Sequence, residues 1–455
     1  MAQTAQDAIL KKPHVAFLSF PFASHPMSLI TFARRIAAAA PQITCSFFGT
    51  VKSNGTIFAS IGDDDEGLQN LKAYDIDNGI SENYVFKGKL LEEIELFMKA
   101  APTNFRKGME VAEEKEKKKI TCVLSDPFLW FAGELAEEMG VPWVAAFSGG
   151  PFSLTTHLYT DLIRSTIGVA PNGKEDETLD FVPGLSALRV RDLVDGLVSG
   201  NLESIFARIL DQMGQLLPRA TAVCINSFEE LDATIIDTLK LKLQRCLPIA
   251  LFNPESNLDK NGCLPWLEKQ KPASVAYISF GTSASLPPHE LVALAQGLEA
   301  SRTPFLWSLK DTSQLPKEFI DKISKHEING LIVPWTPQFC VLQHRAVGVF
   351  LTHCGWNSVL ESLITGKPMI CRPFMADQWT NSRIISHLWG IGLQLDNGVF
   401  TRDGIIKALD LVLFKEGRKM REIGEALKEL CKIGMGPNGS CTRNFNSLLQ
   451  LLSTT

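Results

Sequence analysis

With 455 residues, the chain exceeds the roughly 250–300 residues that one hydrophobic core serves, so two cores are expected. A composition of 45% hydrophobic and 21% charged residues excludes extensive disorder. A net charge of −5 excludes bulk attraction to nucleic acid or anionic membrane, so any phosphate must be met by a local site. From the N-terminus, the apolar run at 14–20 predicts a buried parallel strand, followed by a helix at about 26–40 and a strand at 43–48. A further strand at 120–124 leads through Ser125-Asp126-Pro127 into a helical pattern ending near Gly140, and 141–147 is a strand again. Residues 247–272 carry four prolines and turn-forming asparagines without sustained periodicity, which predicts a linker over 247–262. The β/α pattern then restarts, with strands at 274–280, 305–309, 331–334, 347–353 and 368–371 and helices from about 289 and over 358–364. Two amphipathic helices close the chain near 419–433 and 443–452. The fold class is therefore α/β, with two Rossmann-like domains facing a cleft lined by the carboxyl ends of their strands.

None of the ten cysteines is in a CxxC pair and several sit in apolar runs, which favours reduced thiols and a cytoplasmic setting. The first residues carry no secretory pattern, and no apolar run is long enough to span or insert into a membrane. No His, Asp or Cys cluster has metal-ligand spacing.

The densest chemistry lies between Trp335 and Gln378. His353-Cys-Gly-Trp-Asn-Ser358 falls between a predicted strand and helix. Gly355 lets backbone approach a ligand, and the following N–H groups open a helix N-terminus suited to an anion. His353 and Ser358 are hydrogen-bond donors to phosphate, and Glu361 shares a helix face with Ser358, where a carboxylate suits ribose hydroxyls. Trp335 offers a flat face to a base, and Asp377-Gln378 offers groups for sugar hydroxyls. Singly, Trp335 and His353 read as packing residues and Asp377-Gln378 as a loop pair. Together on strand ends they read as a site for a nucleotide diphosphate carrying a sugar.

In the first half, His25 lies past the first strand and Asp126 at the end of another. A histidine held by a carboxylate is a general base for a hydroxyl. The alternatives are a helix N-terminal histidine packed in a loop and an aspartate N-cap with Pro127 in the first turn. A nicotinamide oxidoreductase would require G-x-G-x-x-G after the first strand, where Pro-Phe-Ala-Ser-His stands instead.

The block from Trp335 to Gln378 resembles, without a gap, the signature of plant family 1 UDP-sugar-dependent glycosyltransferases. Phe20-Pro-Phe-Ala-Ser-His25, Tyr84-Val-Phe86, Glu95-Leu-Phe97, Arg106-Lys-Gly108 and Ile225-Asn-Ser-Phe-Glu-Glu230 are similar to the flavonoid 3-O-glucosyltransferase branch. The resemblance implies a GT-B fold, with an acceptor-binding domain at 1–246, a UDP-sugar-binding domain at 263–455 and the terminal helix packing back on the first domain. It implies that Trp335 stacks on uracil with Ser308 lining that pocket, and that Gln338 and Glu361 hold the ribose. His353, Asn357, Ser358, Thr282 and the Trp356 amide would meet the diphosphate. Asp377 and Gln378 would meet the sugar, with Ser148 near its 6-hydroxyl or the phosphate. The catalytic pair would be His25 and Asp126, with UDP-glucose as co-substrate, no bound cofactor and no metal. The acceptor would be lined by Ala23, Leu91, Phe128, His157, Phe206 and Met375. Where Ala23, Leu91 and Met375 stand, the branch has serine, glutamine and phenylalanine, so two hydrogen-bonding groups and one ring are lost; this implies a broader or less hydroxylated acceptor, or a pocket that repacks with selectivity unchanged. The expected activity is inverting transfer of glucose to the 3-hydroxyl of a flavonol or anthocyanidin by a monomer. Galactose as the sugar, or another phenol as acceptor, stays open.

Overall fold

Apolar runs without polar alternation form strands buried on both faces, the pattern of parallel sheets covered by helices. The structure, a computed structural model, describes residues 13–61, 69–88, 91–251, 258–281, 285–395 and 398–454. The described residues of Met1–Asn172, Asp195–Asn253 and Gly434–Thr455 form one compact unit, and those of Gly173–Val194 and Pro254–Ile433 form a second.

In the first unit, seven strands make one sheet: β1 (His14–Leu18), β2 (Thr44–Thr50), β3 (Leu71–Ile76), β4 (Cys122–Ser125), β5 (Trp143–Phe147), β6 (Ala222–Ile225) and β7 (Cys246–Pro248). Their order is β3-β2-β1-β4-β5-β6-β7, and every pairing is parallel. Every position of β1 and β2 is buried. Strands β3, β6 and β7 are additional to those the periodicity predicts. β3 and β7 are the sheet edges. At β3 the exposed Ala73 and Asp75 alternate with the buried Tyr74 and Ile76, and Lys72 is exposed as well, so no apolar run marks the strand. β7 takes in Leu247 and Pro248, where proline content predicts irregular chain; a sheet edge tolerates proline because one backbone edge needs no ladder partner. Residues 252–257 of the expected linker lie outside the described residues.

The second unit holds β8 (Val275–Ser279), β9 (Phe305–Ser308), β10 (Gly330–Val333), β11 (Val347–Thr352), β12 (Met369–Cys371) and β13 (Gly392–Gln394), in the order β10-β9-β8-β11-β12-β13. All are parallel. In both sheets the winding reverses once, between β1 and β4 and between β8 and β11. Such reversal points open a crevice outside the carboxyl ends of the strands, where ligands bind.

The helix His25–Ala39 buries Leu29, Phe32, Ala33 and Ile36 against Phe17, Phe47 and Leu124, a one-face spacing typical of an amphipathic helix. The last helix, Ser440–Thr454, adds Phe445, Leu448 and Leu452 to the same core. Each such fully buried Leu or Phe contributes roughly 1.5–3 kcal/mol. Arg35 ties the two helices, its guanidinium 4.2 Å from the Phe445 ring centroid and its Nη1 donating to Ala250 O at 2.7 Å. The second core packs Leu291, Leu294 and Leu298 on Ile278, Trp307 and Val349. Among the described residues, which include all ten cysteines, there is no disulfide, and no helix is long and apolar enough to cross a membrane.

Candidate functional site

In the first sheet Leu18 pairs with Ser125, so the segments after β1 and β4 leave the sheet side by side. The Asp126 N–H donates to Leu18 O at 2.9 Å and fixes that corner. His25 is the first residue of its helix, with Pro26 in the first turn. Its Nδ1 lies 2.7 Å from Asp126 Oδ2, and the two side chains are 19% and 3% exposed. Asp126 Oδ1 accepts the Phe128 N–H at 2.9 Å, so both carboxylate oxygens are engaged and the imidazole is oriented by a fixed anchor. A proton on Nδ1 facing a carboxylate leaves the basic lone pair on Nε2. Asp126 is not the N-cap of the following helix, which begins at Ala132 behind Phe131. The Phe128 bond is instead an Asx-type turn, which the short carboxylate side chain favours.

Aromatic rings surround the imidazole. Its centroid is 4.6 Å from that of Phe128 and 5.2 Å from that of Phe20. Phe128 meets Phe206 at 6.0 Å, and Phe97 meets Phe20 at 6.2 Å and Phe22 at 5.6 Å. Phe20, Phe22 and Phe97 are absent from the residues expected at the site because an isolated phenylalanine reads as core. Only the clustering of Phe22 and Phe97 with Phe20, which itself meets His25, marks them. Ala23 (φ 53°) and Leu91 (φ 65°) adopt the left-handed region, a cost of about 1–2 kcal/mol for a residue with a Cβ, and such strain concentrates at functional sites. His157 is buried in the helix Pro151–Leu158, and burial lowers its pKa to about 4, so it is neutral. Its Nε2 is 3.5 Å from Ser153 Oγ, and its buried Nδ1 has no partner among the described residues. Ser148 follows β5, with its carbonyl accepting from Asn226 Nδ2 at 3.3 Å.

In the second unit Ser308 pairs with Val333 at the ends of β9 and β10. Trp335, 45% exposed, follows β10, and its carbonyl accepts from Asn261 Nδ2 at 2.7 Å. Gln338 opens the helix Gln338–Gln343. Its Oε1 accepts from Tyr277 OH at 3.0 Å, and its Nε2 donates to Ser358 Oγ at 3.1 Å and to Glu361 Oε2. The Tyr277 hydroxyl also meets Thr336 Oγ1 at 2.7 Å. Burial raises the Glu361 carboxyl to about 7, against a smaller lowering by the Gln338 amide. Tyr277 escapes sequence reasoning because it sits inside an apolar strand, and its hydroxyl finds partners only from distant segments.

His353 follows β11. Burial lowers its pKa to about 4, so it is a neutral hydrogen-bonding group at neutral pH, and its buried Nδ1 has no partner among the described residues. Gly281 (φ +72°) and Gly355 leave room for the ring: a Cβ at Gly281 would stand 3.0 Å from His353 Cε1, and one at Gly355 would overlap Nε2. Cys354 holds φ 64° and turns the chain into the helix Trp356–Thr365. That helix has no acidic residue in its first turn and no side-chain cap at Gly355, so its positive end suits an anion. Trp356 and Asn357 are its first two residues. Asn381 Nδ2 donates to Cys354 O and Asp377 Oδ2, each at 3.0 Å, and so joins the two motif segments. Gln378 Oε1 accepts the N–H groups of Phe374 at 2.8 Å and Met375 at 3.2 Å, which directs its Nε2 donors the opposite way. Met375, 53% exposed, stands in this unit with Asp377 and Gln378 rather than in the first unit with the other expected acceptor residues. Thr282 lies outside the described residues. Among the described residues no three His, Cys, Asp or Glu side chains are grouped to hold a metal ion.

Comparison with known proteins sets this geometry in context. The family described as UDP-glucoronosyl and UDP-glucosyl transferase matches residues 54–422. The chain is 49% identical to an anthocyanidin 3-O-glucosyltransferase of Vitis vinifera, over 100% of this chain and 99% of that one. It is 48% identical to a flavonol 3-O-glucosyltransferase of Arabidopsis thaliana, over 96% of each. It is 46% identical to an anthocyanidin 3-O-galactosyltransferase of Rhododendron delavayi, over 98% of each. A crystal structure of a UDP-glucose:anthocyanidin 3-O-glucosyltransferase in complex with UDP superimposes with a TM-score of 0.90 at 38% identity, covering 98% of this chain and all of that one. The fold is GT-B.

Proposed function

Because the chain belongs to the UDP-glucoronosyl and UDP-glucosyl transferase family, and is therefore a glycosyltransferase, we propose that it moves glucose from UDP-glucose to the 3-hydroxyl of a flavonol or anthocyanidin. The observation that carries this reading is the 2.7 Å contact of His25 Nδ1 with Asp126 Oδ2, set among phenyl rings at the reversal point of a parallel sheet. A planar polyphenol packs on such rings, and its hydroxyl needs a base to become a competent nucleophile.

His25 Nε2 takes the proton of the acceptor hydroxyl while Asp126 holds the tautomer and stabilises the imidazolium. The acceptor oxygen attacks the anomeric carbon from the face opposite UDP. The carbon–oxygen bond to the diphosphate breaks, UDP leaves, and configuration inverts from α to β. The first unit supplies the base and the acceptor pocket, in which Ala23, Leu91, Phe128, His157 and Phe206 are the acceptor positions. The second supplies the UDP-sugar site. There Trp335 stacks on uracil with Ser308 beside it, and Gln338 and Glu361 hold the ribose. The start of the helix Trp356–Thr365, with His353, Asn357 and Ser358, receives the diphosphate. Asp377 and Gln378 hold the sugar. We read the enzyme as a cytoplasmic monomer, which light scattering of the purified protein checks.

Galactose is the second reading, favoured by the 46% identity to a 3-O-galactosyltransferase. The test is the pure protein with a flavonol and anthocyanidin panel against UDP-glucose and UDP-galactose, with the product identified by mass and proton coupling. A 3-O-β-glucoside formed preferentially from UDP-glucose is expected. Preferential galactoside formation would replace the sugar, and absence of any glycoside would remove the acceptor class.

A further inference from the structure

The segment that carries Met375, Asp377 and Gln378 rests on an ion pair outside the donor motif. Arg372 directly follows β12 and leads into that segment. Its Nε donates to Glu290 Oε2 at 2.8 Å and its Nη2 to Glu290 Oε1 at 2.6 Å. The two side chains are 9% and 1% exposed. Glu290 belongs to the first turn of the helix Pro288–Ser301, 82 residues away in sequence. Its Oε2 also accepts the Phe400 N–H at 2.8 Å. Burial alone would raise its pKa, but the Arg372 and Phe400 hydrogen bonds outweigh this and hold it below the usual range, so the pair is ionic.

From this anchor the contacts run outward without a gap. Arg372 Nη1 donates to Pro373 O, and the guanidinium lies 4.2 Å from the Phe374 ring centroid. The Phe374 and Met375 amides then donate to Gln378 Oε1 at 2.8 and 3.2 Å. The Phe374 ring meets Phe280 at 6.0 Å, and Phe280 meets Phe400 at 5.6 Å. A buried ion pair seldom stabilises a fold better than apolar packing does, and this one sits among three phenylalanines where packing was available. What a bidentate fork adds is fixed direction.

We propose that Glu290 and Arg372 are positioning residues for the transferred hexose: they fix the backbone of 373–375, hence the carboxamide of Gln378, and so set which UDP-hexose the enzyme uses. This rests on the UDP-sugar reading above. The pair touches no substrate itself.

The test compares Arg372→Lys and Glu290→Gln with the unmodified protein. UDP binding is followed by calorimetry, folding by circular dichroism, and kcat and KM are measured with UDP-glucose and UDP-galactose. Arg372→Lys keeps the charge but loses the fork, and it guards against misfolding of Glu290→Gln. UDP affinity should stay within about twofold, because Trp335, Gln338 and Glu361 do not touch the pair. Transfer from the preferred hexose should fall roughly 10- to 100-fold, the scale of an ångström-size misplacement, and the ratio between the two hexoses should collapse. Unchanged transfer and discrimination in folded Arg372→Lys would overturn the inference. So would a parallel loss of UDP binding and transfer, which is what general loosening produces. Failure of the unmodified protein to bind UDP would overturn the donor reading and this inference together. Binding and transfer by the unmodified protein, with variants that match it, would overturn the inference alone.

Discussion

A histidine in water is a base without direction. His25 acquires direction from a carboxylate 101 residues away, which is itself pinned by a backbone amide. His25→Ala should therefore reduce glycosyl transfer by about 10²–10⁴-fold, the usual share of general-base help, with UDP affinity unchanged by calorimetry. Normal turnover would remove the base assignment. Glu361 supplies a prediction with a sign. Its carboxyl rises from 4.5 to about 7 on folding, so between those values the folded chain holds a proton that the unfolded chain has released. The stability this contributes is complete below 4.5 and is lost as pH rises through 7. Glu361→Gln removes the titration. The variant should melt above the parent at pH 8, by the equivalent of on the order of 3 kcal/mol for a rise of that size at about 1.4 kcal/mol per pKa unit, and close to it near pH 5. It should also need more UDP-glucose for half-maximal rate, at an unchanged KM for acceptor. Equal melting at both pH values would contradict the burial of a titrating carboxyl. Residue identities at these positions were legible because His25 and Asp126 follow strand ends and Glu361 lies one helical turn after Ser358 in a contiguous motif. The partners Tyr277, Asn261 and Glu290 were not, since nothing local distinguishes them from core or surface residues.

At the scale of elements, the turn from β11 into the helix Trp356–Thr365 concentrates the geometry. It combines a left-handed Cys354, a glycine cap whose missing Cβ makes room for His353, and a helix end with no carboxylate of its own. Gly355→Ala should displace His353 and weaken UDP binding about tenfold or more, as expected when close backbone approach is blocked, while the secondary structure seen by circular dichroism is kept. Unaltered UDP affinity would argue against the close approach. Central strands such as β1, β2, β8 and β11 were readable because burial on both faces leaves an unbroken apolar run. The edges β3, β7 and β13 were not, because one-sided pairing permits polar alternation, proline or very short length, although the edge β10 was read and the buried interior strand β6 was missed. The segment after β4 misleads for a related reason: Asp-Pro is favoured equally at a helix start and in an Asx turn, and only the packing of Phe128 beside His25 selects the turn.

Across the whole molecule, a net charge of −5 accords with the proposed site, in which phosphate would be met by helix ends and a neutral imidazole rather than by a basic surface. KM for the UDP-sugar should accordingly change less than about twofold between roughly 50 and 200 mM salt, where a surface of several lysines and arginines would lose far more. A steep salt dependence would point to cationic residues not assigned to the site. By itself the sequence determined the β/α alternation, the two cores and which chemical groups stand at strand ends. Those features are encoded in neighbours a turn or two apart, through periodicity and turn chemistry. Only the tertiary structure decided that Asp126 meets His25, that Gln338 joins Ser358 to Glu361, and that Glu290 anchors the Gln378 segment through Arg372. These pairings depend on which strands become neighbours and where each sheet reverses, and that is settled by burying whole faces together rather than by any local stretch of chain.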